Sequence, residues 1–174
     1  MNDIINNIEI NNVDYKYKIV NITNLSNFLL INKLIDSFEL IIKEHKNDYT
    51  IQKLIEDSKK IKKDTKLFIL YKNKSIVHIE RFVYAQNSKS MYLDFIHTFF
   101  SYRKKGIGNA CLFYLLKNTQ NYFKVYELKV RKDNISAINL YKKNNFKIIS
   151  TIYQQNNNEN IEVYVMKLII KNKK

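Results

Sequence analysis

The chain has no proline, only two glycines and a single cysteine in 174 residues. One cysteine, Cys111, excludes an internal disulfide framework, so cysteine usage does not point to a secretory compartment. No apolar run is long enough to cross a bilayer, and the start, Met1-Asn2-Asp3-Ile4-Ile5, lacks a basic segment followed by an apolar one. A soluble cytoplasmic protein without a membrane partner is the expectation. Acidic residues are also scarce, 16 against 30 basic ones, for a formal net charge of +14. Such a surplus suits nucleic acid, an anionic surface or an anionic cofactor. The basic residues are scattered, however, and the abundant Asn, Ile and Lys all have A/T-rich codons, so charge alone does not select a function. The composition, 45% apolar and 26% charged, is globular rather than disordered, and one domain over residues 1–174 is expected.

The scarcity of glycine is informative because both glycines fall in one tripeptide, Gly106-Ile107-Gly108. Glycine reaches positive φ cheaply and lets other groups approach the backbone. Other turns in this chain use Asn, Asp, Ser or Lys, so residues 106–108 must meet a special backbone requirement.

Apolar spacing supplies the elements. Ile8-Glu9-Ile10, Asn11-Asn12 and Val13 to Val20 predict a hairpin or a first strand. From Asn24 to His45, Leu25, Phe28, Leu29, Leu34, Ile35, Phe38, Ile41 and Ile42 follow the three-and-four spacing of an amphipathic helix. Ile51, Leu54, Ile55, Ser58 and Ile61 predict a second, shorter one. Strands are expected at Leu67 to Tyr71 and Ile76 to Ala85 around a turn at Lys72-Asn73-Lys74-Ser75. A nearly all-apolar run from Met91 to Phe100 reads as a central strand covered on both faces. A helix from Ile107 to Tyr122, a strand from Val125 to Val130 and a helix from Ile135 to Lys143 follow. Phe146 to Tyr153 and Ile161 to Ile170 close the chain as an antiparallel pair around a polar loop at Asn156-Asn157-Asn158. Such an order implies an α/β fold, a mixed sheet with helices on both faces.

One junction carries chemistry. The strand ending near Phe100 runs through Ser101-Tyr102-Arg103-Lys104-Lys105 into the glycines and a helix starting at Ile107. Backbone N–H groups at a helix start are unpaired and electropositive, and a preceding glycine turn makes them a phosphate site. The longer glycine spacing of a P-loop and the third glycine of a dinucleotide fingerprint are both absent. About thirty residues on, Asn134 is a natural N-cap, with Ala137 and Tyr141 one helical turn apart behind it.

Arg103-x-x-Gly106-x-Gly108 and Asn134-x-x-Ala137-x-x-x-Tyr141 together resemble the GNAT superfamily of N-acetyltransferases. The first segment is similar to its pyrophosphate motif, the second to the motif whose Tyr faces the thioester. The resemblance extends through Phe146 and Val163 to Leu168, and covers the element order of the first half. It implies the GNAT (acyl-CoA N-acyltransferase) fold, a mixed central sheet of about seven strands. It also implies acetyl-CoA as cosubstrate, no metal, and direct transfer to an amine without a covalent enzyme intermediate. The cofactor would lie along Ile96, His97 and Thr98, then Arg103, Lys104, Lys105, Gly106, Ile107, Gly108 and Asn109, with Asn134, Ala137 and Tyr141 opposite. The glycine at 108 would let phosphate approach the helix start. Three departures stand out: Asn145 replaces Gly before Phe146, Phe100 replaces Pro, and Lys104 replaces Gly at a position that need not have positive φ. Asn145 suits a left-handed helix end almost as well as Gly.

The chemistry needs a neutral amine, a backbone donor for oxyanion charge on the splayed strand before the glycines, and a hydrogen bond to the departing thiolate. By its place in the motif, Tyr141 serves the thiolate. Asp94 is the candidate base, as the one carboxylate in an apolar strand. It also falls where spermidine/spermine acetyltransferases of the superfamily carry a glutamate. Tyr92 is a rival, at the place of a catalytic tyrosine in some protein N-terminal acetyltransferases, although Lys129 stands where those enzymes have His. His45 and His78 show no partner in sequence, and Cys111 reads as packing. The expected acceptor is a primary amine of a small molecule, such as a polyamine or an amino sugar. A protein N-terminal or lysine amine is the alternative, and a non-catalytic basic nucleic-acid-binding module on this fold is a further one. Nucleic acid is not an expected partner of the enzyme, and monomer or homodimer is left open. The helix pair around Ser37 to Ile61 and the loop from Gln154 to Asn160 would wall the acceptor pocket.

Overall fold

Two asparagines turn the first hairpin. In the computed structural model, which describes residues 6–44, 56, 64–85, 87–156 and 159–170, Asn11 and Asn12 have φ of 52° and 60°. Two successive left-handed residues match the twist of a two-residue hairpin, and Asn tolerates that region better than most residues. β1 (Asn6–Ile10) and β2 (Val13–Asn21) are therefore separate strands. β3 (Asp64–Lys72) and β4 (Ser75–Tyr84) form a second hairpin across Asn73, at φ 54°. β5 (Ser90–Thr98), β6 (Val125–Arg131), β7 (Lys147–Asn156) and β8 (Glu159–Ile169) complete one sheet in the order β1-β2-β3-β4-β5-β6-β8-β7. It has eight strands where about seven were expected, because the first hairpin contributes two. Among the described strands only β5 and β6 pair in parallel, joined through α3 (Ile107–Thr119).

The single helix expected over Asn24 to His45 is two. α1 (Leu25–Ile31) ends where Lys33 turns left-handed at φ 54°, and α2 (Ile35–Glu44) begins beyond it. Leu34 N–H donates to Leu29 C=O at 2.8 Å and Lys33 N–H to Leu30 C=O at 3.1 Å, the paired bonds of a Schellman stop. Leu25, Phe28 and Leu29 before the break and Leu34 and Phe38 after it still share one core, so apolar spacing could not reveal the interruption. The helix expected over Ile51 to Ile61 lies outside the described residues, apart from Glu56.

Each sheet face has its own core. On one, Phe68, Leu70, Phe82, Met91, Leu93 and Leu128 pack against Ile107, Cys111, Leu112 and Leu115 of α3 and Ile138 and Tyr141 of α4 (Ile135–Lys143). On the other, Val20, Leu67, Ile69, Ile76 and Ile79 meet α1 and Phe38 of α2. Each fully buried Leu, Ile or Phe contributes about 1.5–3 kcal/mol, so the sheet is clamped from both sides. β5 is less covered than its apolar sequence implied: Asp94 is exposed, and Phe95 and Ile96 are half-buried.

Candidate active site

The site begins with a parallel pair that stops early. β5 pairs with β6 only over Ser90 to Leu93, matched to Val125 to Leu128. Both strands continue, β5 to Thr98 and β6 to Arg131, without pairing to each other. The divergence coincides with a β-bulge: Arg81 faces Phe95 and Phe82 faces Leu93, which leaves Asp94 as the extra residue. Residue Asp94 is exposed although its side chain is only 19% exposed, so its backbone is what opens to solvent.

The far end of β5 leads into the glycine turn. After a short 3₁₀ turn at Phe100–Tyr102, Arg103 is extended, Lys104 is left-handed at φ 59° and Gly106 at φ 75°, and α3 follows. Lys104 thus does have positive φ, against expectation, and sits in a conformation that glycine would adopt with less strain. Side chains fasten the turn from outside. Arg103 Nε donates to Thr98 C=O at 2.9 Å, with its guanidinium 5.5 Å from the Phe100 ring centre. Lys105 Nζ donates to Ser101 C=O at 2.9 Å, and Asn11 Nδ2 to Lys105 C=O at 2.8 Å. The N–H groups of Ile107, Gly108 and Asn109 open α3 with no intrahelical carbonyl to meet.

The two glycines serve different needs. Among the described residues nothing would lie within 4 Å of a Cβ at Gly106, so its requirement is the left-handed backbone. Gly108 has ordinary φ, but a Cβ there would stand 3.4 Å from Thr98 Oγ1, 3.7 Å from Leu140 Cδ2 and 3.8 Å from His78 Cε1. A side chain there would therefore point inward, toward β4, β5 and α4, with its first carbon at ordinary contact distance and little space beyond it.

α4 is built as its motif requires. The Asn134 side chain accepts from Ala137 N–H at 3.2 Å, a standard N-cap bond. At the other end Asn145 is left-handed at φ 66°, Phe146 N–H donates to Tyr141 C=O and Asn145 N–H to Lys142 C=O, both at 3.0 Å. This is a Schellman stop with Asn in the usual glycine place, closed by Tyr141 and Phe146 rings 6.0 Å apart. Asn144 Nδ2 donates to Asn109 Oδ1 at 3.0 Å, tying α4 to the first turn of α3. Tyr141 is buried; burial, then Glu80 and Tyr92, push its phenol well above the ordinary range, so it remains protonated near neutral pH.

Strand alternation puts Tyr92 on the face opposite to Met91 and Leu93, and Asp94, at the bulge, turns toward Arg81 of β4. Both Asp94 oxygens accept from Arg81, Oδ1 from Nε at 2.9 Å and Oδ2 from NH2 at 2.8 Å. Burial, then the charges of Asp94 and Glu127, push the Tyr92 hydroxyl up to about 12. His97 is buried, 3.4 Å from Arg103 NH2. Ile96 lies on the α3 side and is half-buried. At the end of β6, a pocket of about 440 Å³ is lined by Arg131, Gln154, Gln155, Ile161 and Val163. Gln154 and Gln155, from the segment expected to wall an acceptor pocket, are among its lining residues.

The sequence reading missed one group. His78, expected to lack a partner, has two: its Nε2 lies 3.0 Å from Glu80 Oε1 and its Nδ1 2.7 Å from Thr98 Oγ1. Its one trace in the sequence is a His-x-Glu alternation within an apolar strand, which places both side chains on one face.

Comparison with known proteins agrees with this geometry. The family model of the acetyltransferase (GNAT) family matches residues 31–146, more than half of the chain. No curated protein matches by sequence. Among solved structures, the ribosomal-protein-S18-alanine N-acetyltransferase of Escherichia coli superposes with a TM-score of 0.63 at 18% identity, covering 91% of this chain and 96% of that one. A GNAT-family acetyltransferase from Streptococcus pneumoniae gives 0.62 at 16%, covering 90% and 99%. A ribosomal L7/L12 α-N-protein acetyltransferase in complex with coenzyme A gives 0.66 at 12%, covering 95% and 98%. These identities speak for the fold alone. The family model speaks for descent, and it spans the split strand pair, the glycine turn and the Asn134 helix. The chain belongs to the acetyltransferase (GNAT) family.

Proposed function

We propose that the chain moves the acetyl group of acetyl-CoA directly onto a primary amine, with the pyrophosphate on the turn at residues 103–108 and the thioester between β5 and β6. The observation that carries this is the coincidence of the two features: β5 leaves β6 at Leu93 and then leads into the turn. The residues present fit the cosubstrate. Free N–H groups at the start of α3 suit phosphate, and Arg103, Lys104 and Lys105 add positive charge beside them. When bound, acetyl-CoA supplies the activated acetyl group. The exposed backbone at the Asp94 bulge offers donors for developing oxyanion charge. Tyr141, held protonated by burial, donates a hydrogen bond toward the departing sulfur from the α4 side. Asp94 approaches from the other side. Arg81 occupies two of its roughly four lone-pair sites, and the rest can accept a proton or N–H from an ammonium acceptor. Tyr92, beside it, is the second candidate for that task.

A small primary amine, such as a polyamine or an amino sugar, is the first acceptor class. A protein α-amine is the second, favoured by the structural likeness to enzymes that acetylate ribosomal-protein N-termini. Acetyl-CoA consumption measured against polyamines, amino sugars, aminoglycosides and peptide N-termini separates the classes. Turnover confined to peptides selects the second, and no turnover with any amine contradicts both.

A further inference from the structure

Under the glycine turn lies a buried hydrogen-bonded chain that the transfer reaction above leaves unused. Glu80 and His78 are both 0% exposed. His78 joins Glu80 Oε1 at 3.0 Å to Thr98 Oγ1 at 2.7 Å. Glu80 Oε2 is buried without a hydrogen-bond partner among the described residues. Thr98 connects this chain to the turn twice. Its carbonyl receives Arg103 Nε, and its hydroxyl stands 3.4 Å from the Cβ position of Gly108, at the start of α3.

We propose that Glu80 and His78 are positioning residues for acetyl-CoA that act through Thr98, a proton gained by the pair freeing the Thr98 hydroxyl to donate toward the cosubstrate. The proton count is simple. With Glu80 ionised and His78 neutral, Nε2–H donates to the carboxylate, Nδ1 is a bare lone pair, and the Thr98 hydroxyl donates to it. When Glu80 takes one proton, its O–H donates to Nε2, the one imidazole hydrogen sits on Nδ1 and donates to the Thr98 oxygen, and the hydroxyl hydrogen is left to donate elsewhere. Anion binding at the start of α3 is thereby coupled to proton uptake in the core.

The surroundings favour such a pair. Burial holds the Glu80 carboxyl above its usual range against the pull of His78. Cys111 from α3 and Tyr141 from α4 face the same carboxyl, and burial keeps both protonated and neutral. Arg103 is the cation tied to Thr98, and it also contacts His97. This role presupposes acetyl-CoA on the 103–108 turn.

Calorimetry on the full chain tests it, with dephospho-CoA as probe because it lacks the 3′-phosphate that itself titrates near neutrality. Titrations in buffers of differing ionisation enthalpy, from mildly acidic to mildly alkaline pH, count the protons taken up. Wild type is expected to take up protons on binding and to lose about tenfold in affinity as pH rises, the effect of one charge-assisted hydrogen bond. Thr98→Val should bind with the weaker affinity at every pH and without that uptake, while Thr98→Ser restores both. Glu80→Gln should abolish the uptake from the other end of the chain. Thermal unfolding of each ligand-free variant records packing losses separately; a purely structural network would lower the melting temperature and leave the proton count intact. The same pH dependence in wild type, Thr98→Val and Glu80→Gln overturns the proposal. Failure of wild type to bind dephospho-CoA overturns the cosubstrate assignment instead.

Discussion

Tyr141 combines a buried ring with a phenol that stays protonated, so removing its oxygen separates packing from chemistry. Tyr141→Phe should retain acetyl-CoA affinity and lower kcat by about 10²–10⁴-fold, the usual worth of positioned acid assistance. Steady-state kinetics beside a binding titration check this; wild-type kcat in the variant would hand the role to solvent or to Tyr92. Asp94→Asn should also lower kcat/KM, with a different pH signature. An alkyl ammonium has a pKa of about 10, so raising pH supplies neutral amine and relieves loss of a base but not loss of Tyr141. A deficit that is constant with pH would leave Asp94 only its ion pair with Arg81. That pair was hidden in the sequence because the partners lie on different strands and meet through a bulge. Asp94 itself was legible, as a charge in an apolar run.

The strand–turn–helix unit reads most clearly from sequence because its requirements are local. Asn134 caps α4, Asn145 ends it left-handed, and Gly106 supplies positive φ, each by its own backbone preference. Substituting Asn134 with Ala should cost about 1 kcal/mol, the usual worth of an N-cap, seen as a lower midpoint in denaturant. Gly106→Ala must place a Cβ in the left-handed region and should cost about 1–2 kcal/mol, although nothing crowds it. Gly108→Val has another origin. Its side chain must enter the space held by Thr98, Leu140 and His78, so it should cost about 1–3 kcal/mol and weaken acetyl-CoA binding by shifting the start of α3. Comparing unfolding midpoints with binding curves for the two glycine variants checks the distinction; equal behaviour would contradict it. The inward aim of Gly108 was not legible, since it depends on where α4 and β4 lie against α3.

At the scale of the molecule, element order followed from periodicity, while register did not. Period-two alternation locates a strand but not the extra residue at Asp94, which sets where β5 parts from β6. Likewise Lys33 breaks one amphipathic stretch into α1 and α2 without disturbing its apolar face, because the left-handed stop preserves the facing core. The Glu80–His78–Thr98 chain needed both strand register and helix docking to become visible. The family's fold thus accounts for a strand pair that parts after Leu93 and for the glycine turn beyond the end of β5. Binding of acetyl-CoA to the purified chain, followed by calorimetry and thermal unfolding, tests that account most directly. Saturable binding should raise the melting temperature, with about 2.7 kcal/mol of added stability at a hundredfold excess over Kd. An unchanged melting temperature and no binding heat at saturating acetyl-CoA would contradict it.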